Sequence, residues 1–312
     1  MSPRVSVVMI FLDGERFIDE AIRSVIDQSF TDWELLLVDD GSSDGSTDLA
    51  LRWSEKDDRI RYVEHPAHAN LGMSASRNAG LSHATAPLLA FLDCDDVWLP
   101  EHLATHVAVL DADPTLDASY GAFRLWHSWT GLPEDAAFDR VARLGVAPGS
   151  VHEPGELLAV YRSDTGSLPG ICCVVTRTDA VRRLGGFADE FRGCFEDQVY
   201  LAKLGLHLRV HVSGECTSLY RRHEESCCAV AISEGRYHYT KPNEAEHAYL
   251  RWLSRYLRQQ GATSGAAWTH VAKRLAVYRN PFSAPRRKAF LERARLAARY
   301  RRRQAFALMH RT

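Results

Sequence analysis

Acidic residues fall in three tight groups: Asp39 and Asp40 in VDDGSSDGS, Asp93, Asp95 and Asp96 in LDCDD, and Glu196 with Asp197 in FEDQVY. Carboxylates crowded in this way repel one another unless a cation binds them. A hard divalent cation such as Mg2+ is typically held by one or two carboxylates, with waters and substrate phosphates completing its shell. Asp93-Cys94-Asp95 supplies such an incomplete cage, and the missing ligands would be a diphosphate. The chemistry implied is departure of a phosphate-bearing group whose developing charge the metal neutralises. Each group also has a structural reading, since Ser42, Ser43, Asp44 and Ser46 are good helix N-caps and Asp197 suits a helix N-terminus.

Such residues must be carried to one place by regular elements. Residues 5–10 and 34–39 are continuous apolar runs ending in polar turns, as expected of strands buried on both faces. Between them Phe17, Ile18, Ala21, Ile22, Val25 and Ile26 have the spacing of an apolar helix stripe, so the opening predicts a βαβ unit. Further strands are expected over 60–63 and 88–92, with helices over 46–56, 74–82 and 100–110. This alternation predicts an α/β fold, a mostly parallel sheet flanked by helices with right-handed crossovers. Ligands of such sheets sit beyond the carboxyl ends of the strands, where the first two acidic groups fall.

Residues 127–170 are richer in Gly, Pro and Asp and predict loops around an edge strand. Strands are expected again over 171–176 and 206–212, separated by a helix near 177–184, a Gly185-Gly186 stop and a helix over 197–204. Beyond about residue 235 the pattern is purely helical, over 244–260, 266–278 and 286–308. The expected organisation is a catalytic α/β domain over 1–234 and a helical C-terminal extension over 235–312.

With 312 residues, 46% hydrophobic and 25% charged, the chain has the make-up of a folded globular protein, and disordered or collagenous architectures are excluded. No apolar run is long enough to span a membrane, and residues 5–10 are too short for a signal peptide, so a cytoplasmic protein is expected. Seven cysteines (94, 172, 173, 194, 216, 227 and 228) form no C-x-x-C and are odd in number, which points to buried or free thiols. From residue 286 onward there are ten Lys or Arg and one acid; that segment is +9, leaving −11 for residues 1–285 of a chain whose total is −2. Phe290, Leu291, Ala294, Ala297, Ala298 and Tyr300 can form an apolar stripe among these arginines, which suggests an amphipathic helix on an anionic membrane surface, peripheral at the inner face. Aromatic interleaving for base stacking is sparse, so no nucleic-acid partner is expected.

Taken in order, these motifs resemble the inverting family 2 glycosyltransferases, whose fold is the GT-A nucleotide-sugar fold. The resemblance covers about residues 5–228. The opening through VDDGSSDGS is similar to the family's first βαβ unit and nucleoside-binding loop, which implies that Asp40, with Asp39 beside it, contacts base or ribose. NLGMSASRNAG resembles the loop and helix before the metal strand, implying that Arg77 reaches the nucleotide or diphosphate. LDCDD is like the D-x-D motif, with Asp95 as direct metal ligand and Asp93 nearer the ribose and the metal's waters. FEDQVY resembles the E-D motif, making Asp197 the general base and Glu196 a residue that orients acceptor or helix. YRRHEESCC is similar to a Tyr-Arg-x-His segment, implying His223 at metal or diphosphate and Arg221 or Arg222 at phosphate oxygens. The family often has Pro-Thr-Tyr-Asn where this chain has Ile10-Phe11-Leu12-Asp13, so Phe11 is the available stacking face, with a core phenylalanine as its other reading.

The resemblance implies transfer of a sugar from a nucleoside diphosphate to an acceptor hydroxyl of a glycan or lipid-linked glycan, dependent on Mg2+ or Mn2+, in surface polysaccharide or glycolipid synthesis. Two rivals remain open at this point. LDCDDV also reads as the nucleophile motif of haloacid-dehalogenase-like phosphatases, with Asp93 phosphorylated, and a second alternative is a nucleotide-sugar-binding module without turnover. A Rossmann oxidoreductase is disfavoured because no G-x-G-x-x-G follows the first strand.

Overall fold

Strands β1 (Val5–Phe11) and β2 (Trp33–Asp39) are buried at every position, which is why their sequences show no polar alternation. They sit inside the sheet of a computed structural model that describes residues 2–161, 168–238 and 241–279. Between them runs α1 (Ile18–Ile26); α2 (Ser46–Lys56) leads to β3 (Ile60–Glu64), and α3 (Met73–His83) leads to β4 (Leu88–Asp93). Next come β5 (Val97–Trp98), α4 (His102–Ala112), β6 (Ala118–Trp126), β7 (Arg140–Val141), β8 (Ser150–His152) and α5 (Glu156–Tyr161). After them follow β9 (Val174–Arg177), α6 (Thr178–Arg183), α7 (Glu196–His207), β10 (Val210–Arg221), α8 (Cys227–Ser233), α9 (Glu244–Gln259) and α10 (Gly265–Arg279).

The main path of the sheet is β3-β2-β1-β4-β9-β6-β10-β5, with β7 on β6 and β8 on β10. Strands β1, β2, β3 and β4 are parallel, and β1 lies between β2 and β4, so the chain reverses its direction of travel across the sheet there. That reversal opens a crevice at the carboxyl ends of β1 and β4. Alternation along β1 feeds two cores: Val5, Val7, Met9 and Phe11 join α1 and α4 on one face, while Val8 and Ile10 join α3, α6 and α7 on the other. Each fully buried side chain of this kind contributes roughly 1.5–3 kcal/mol. Helix α3 lies directly on β1 because Gly80 has no side chain; a Cβ there would fall 2.3 Å from Val8 Cγ1.

The sheet is mostly parallel, as the alternation of elements predicts, but β9 runs antiparallel between β4 and β6. Strand β6, with five successive buried residues, is a central strand that the sequence reading did not place. Residues 206–207 end α7 instead of starting a strand, and β10 continues nine residues past Val212 through irregular register at 212–218. Within the stretch expected as loops lie β7, β8 and the helix α5. The chain divides into two compact units, Met1–Ala229 and Val230–Thr312. In the second, α9 begins at Asn243, whose side chain accepts the Glu246 N–H at 2.9 Å, and α10 packs on it through Tyr278 and Arg274, both bonded to Glu246. The helix expected over 286–308 lies outside the described residues. Among the described residues no helix is long and apolar enough to cross a membrane.

Candidate active site

Parallel register sets the first relation in the site. Phe11 of β1 stands opposite Asp39 of β2, and Ile10 stands opposite Asp93 of β4. The two acidic turns therefore leave the same edge of the sheet on either side of β1.

The turn after β2 is saturated with hydrogen bonds. Asp39 is fully buried; its Oδ1 accepts Gly41 N at 3.1 Å and Ser42 N at 2.8 Å, and its Oδ2 accepts the hydroxyls of Thr47 and Tyr62 at 2.6 and 3.2 Å. Asp40 accepts Leu71 N at 2.8 Å and Gly72 N at 3.0 Å, with His65 Nε2 3.6 Å away. Gly41 takes φ +85°, and a Cβ there would meet His68 O at 2.7 Å, so only glycine lets this turn lie against the 68–70 loop. The expectation that Asp39 and Asp40 reach toward a nucleoside thus meets two carboxylates already engaged by their own turn and the neighbouring loop. Phe11 is 2% exposed among Ile18, Ile22 and Leu92, so of its two readings the structure shows the core phenylalanine, and its ring presents no stacking face.

At β4 the picture changes. Arg77, on α3, is 1% exposed; its Nη2 donates to Asp93 Oδ1 at 2.6 Å and its Nη1 to Glu196 Oε1. One guanidinium thus joins the D-x-D turn to the start of α7, two segments more than a hundred residues apart in sequence. Arg77, expected at the nucleotide or diphosphate, has its terminal nitrogens on these two carboxylates, and its Nε is buried without a partner among the described residues.

Asp95 is gripped from β10. Arg221 Nε donates to the Asp95 carbonyl at 2.7 Å, Arg221 N donates to Asp96 Oδ1 at 2.9 Å, and Arg221 Nη2 pairs with Glu20 at 2.6 Å. Its guanidinium lies 4.5–5.2 Å from the ring centres of Phe17, Trp126 and Trp129, a cation–π cage that the sequence did not signal. Arg221 is therefore a structural clamp. Arg222 is half-buried, with its guanidinium 5.8 Å from the Tyr220 ring and its backbone bonded to Trp126 and Trp129. His223 Nε2 lies 2.9 Å from Asp95 Oδ2, and its ring packs on Phe17 with centroids 4.6 Å apart.

Asp197 is half-buried at the N-terminus of α7, and its Oδ1 accepts the adjacent Gln198 N–H at 2.7 Å. Phe195, just before this pair, holds φ +75°, a left-handed conformation rare for a bulky residue and the kind of local strain found where side chains are aimed. Burial raises Asp197 above the ordinary carboxyl value, opposed by Arg77. Burial also pushes Glu196 to about 8, with Asp197 adding to the rise and Arg77 opposing it. Asp93 is raised by burial against the pull of Arg77, and Asp96 is raised well above its usual value by burial and by Asp95 and Asp93. The crevice is thus poor in cations for the acids it gathers.

Among the described residues no three His, Cys, Asp or Glu side chains come together tightly enough to enclose a metal ion. What is present is an oxygen and a nitrogen ligand atom side by side, Asp95 Oδ2 and His223 Nε2 at 2.9 Å, with His223 Nδ1 making no hydrogen bond among the described residues and Glu225 4.0 Å from it. That pair fits an open divalent site whose other positions belong to water and phosphate. Asp93, expected as a second ligand, has its Oδ1 committed to Arg77.

Residues 6–135 match the family described as Glycosyl transferase family 2. The beta-1,3-glucosyltransferase WfgD of Escherichia coli, named as acting from UDP-Glc on alpha-D-GlcNAc-diphosphoundecaprenol, is 35% identical over 106 residues, 34% of this chain and 40% of that one. This chain spans less than half the length of the curated relatives it matches. S. aureus TarS 1-349, solved with UDP-GlcNAc, superposes over 90% of this chain and 73% of its own with a TM-score of 0.63 at 20% identity. The mannosyltransferase PcManGT from Pyrobaculum calidifontis, solved with GDP-Man and Mn2+, superposes over 96% of this chain and 81% of its own with a TM-score of 0.56 at 20% identity. The likeness to these structures shows a GT-A fold, and the match to glycosyl transferase family 2 lies over residues 6–135 of the 312.

Proposed function

We propose that this chain is an inverting glycosyltransferase that moves a sugar from a nucleoside diphosphate to an acceptor hydroxyl. The observation that carries the reading is the Arg77 bridge, which holds the start of α7 against the acidic turn after β4 at the sheet's switch point. Asp95 and His223 would hold Mg2+ or Mn2+, and the bound ion would supply neutralising charge for the departing diphosphate. Asp197 accepts the acceptor's hydroxyl proton as that oxygen bonds to the anomeric carbon. The bond from that carbon to the diphosphate oxygen breaks, its electron pair leaving with the nucleotide, on the face opposite the base. Burial of Asp197 brings its basicity closer to that of the proton it must take. Glu196, tied to Arg77, fixes the helix start from which Asp197 projects.

A phosphatase using Asp93 as nucleophile is disfavoured, because burial favours the protonated carboxyl and Arg77 occupies Oδ1. The relative with a diphosphoundecaprenol-linked acceptor supports a lipid-linked glycan as acceptor and a role in surface polysaccharide synthesis at the inner membrane face. We assign residues 1–234 as the catalytic domain and 235–312 as its helical extension. The basic tail proposed to meet an anionic membrane, 286–312, lies outside the described residues. A panel of labelled nucleotide sugars, followed with and without EDTA, tests the reading. Turnover of one donor that EDTA abolishes is expected; absence of both donor binding and turnover, or a phosphoaspartate trapped at Asp93, overturns it.

A further inference from the structure

The transfer chemistry uses none of the seven cysteines, and three of them gather at one place. The thiol of Cys194 interacts with those of Cys227 and Cys228, which follow it by more than thirty residues in the chain. A Cβ on Gly193 would fall 3.9 Å from Cys227 Sγ, so that sulfur also lies against the residue before Cys194. Cys227 is exposed, whereas Cys194 and Cys228 are half-buried.

Each of the two segments that meet here carries a residue of the candidate active site. On one, Glu196 N donates to the Gly193 carbonyl at 3.4 Å, closing a turn in which Cys194 precedes Phe195, Glu196 and Asp197. On the other, Ser226 Oγ donates to the His223 carbonyl at 3.2 Å and accepts Ala229 N–H at 3.3 Å, so the turn that begins at His223 runs straight into Cys227. Both segments belong to the first compact unit. A bond between the thiols would restrain Asp197 and His223 together.

Buried structural cysteines are inert, and an accessible thiol beside a second one is the arrangement that oxidises reversibly. Cys227 pulls the Cys194 thiol down, but Cys228, burial and Glu196 outweigh it and bring Cys194 to about 11. Cys194 is therefore a poor nucleophile toward an oxidant in solution, and the exposed Cys227 meets that oxidant first.

We propose that Cys194 and Cys227 are a redox pair that hydrogen peroxide joins into a disulfide. The Cys227 sulfur gives up its proton and attacks one peroxide oxygen; the O–O bond breaks, and the departing hydroxide takes the proton to become water. Cys227 is then a sulfenic acid. The Cys194 sulfur gives up its proton and displaces hydroxide from it, releasing a second water as the S–S bond closes. The thiols lose two electrons and the peroxide gains them.

The test treats the full chain with hydrogen peroxide, alkylates the remaining thiols, digests without reductant and maps the peptides by mass spectrometry. A peptide pair joined through Cys194 and Cys227 is expected, released by dithiothreitol, absent from Cys227→Ser and retained in Cys228→Ser. In Cys194→Ser, dimedone should trap Cys227 as the sulfenic acid. Only the effect on turnover rests on the transferase reading: with the disulfide closed, turnover of a labelled donor should fall about tenfold and return on reduction, in the parent chain and not in Cys227→Ser. A parent chain without turnover in either state counts against the transferase reading, while the peptide map still decides the pair. No linked peptide, linkage of Cys194 to Cys228, or a Cys227–Cys227 dimer alone overturns the pair, and unchanged turnover in the fully linked chain overturns its effect on the site.

Discussion

The turn after β2 and the turn after β4 leave the same edge of the sheet on opposite sides of β1, and both are crowded with aspartates. In the first, Asp39 and Asp40 accept backbone N–H groups of their own turn and of Leu71 and Gly72, so their negative charge is consumed by the architecture. In the second, Asp93 and Asp96 sit where burial raises them, and among the described residues the Asp95 side chain bonds to His223. A carboxylate saturated by backbone donors belongs to the fold. One held mainly by its main chain, with a single side-chain partner, keeps acceptor capacity for chemistry.

That contrast can be broken by substitution. The largest effect is expected for Asp197→Asn, which keeps shape and removes the base: transfer should fall about 10³-fold while calorimetry shows donor affinity nearly unchanged. Collapse of donor affinity would show that Asp197 binds the donor. Asp95→Ala comes next, with an expected loss of about 10² to 10³ in turnover together with metal-dependent donor binding, and a thermal midpoint close to that of the parent. Asp40→Ala should do the reverse. It strands the Leu71 and Gly72 N–H groups, so denaturant unfolding should report a loss of about 2–4 kcal/mol. A parent-like stability for that variant would erase the distinction between the two turns.

The smallest expected effect lies away from both turns. His106 is fully buried and burial lowers it from 6.5 to about 3, with His102 beside it lowered as well. Between those two values the unfolded chain binds more protons than the native state, so stability rises with pH and is lost as pH falls through that window. The slope for one histidine is at most about 1.4 kcal/mol per pH unit. His106→Gln should flatten it when unfolding is compared at about pH 5 and pH 7; an unaltered slope would place the proton uptake elsewhere.

Local pattern carried much of the first hundred residues. Helix α2 falls on the expected 46–56, and β1 and β2 extend the expected runs by one residue each, because strands buried on both faces and helices with one apolar stripe write their periods into the sequence. The pattern failed where pairing partners decide. Strand β6 contains Gly121 and lacks alternation, and β10 passes through Ser213 and Gly214, which look like a turn but lie in an irregular stretch of a long strand. The acidic clusters were legible as candidates, but their division of labour was not.

What the amino-acid sequence determined by itself is local: which segments are strands and helices, and that aspartates follow the buried strands. The tertiary structure decided which carboxylates remain available, because that depends on donors from far along the chain. Arg77 reaches both Asp93 and Glu196, Leu71 and Gly72 consume Asp40, and Arg221 clamps Asp95 from a strand that closes more than a hundred residues later. Hydrogen-bond satisfaction is a property of neighbours in space, and the order of residues along the chain does not list them.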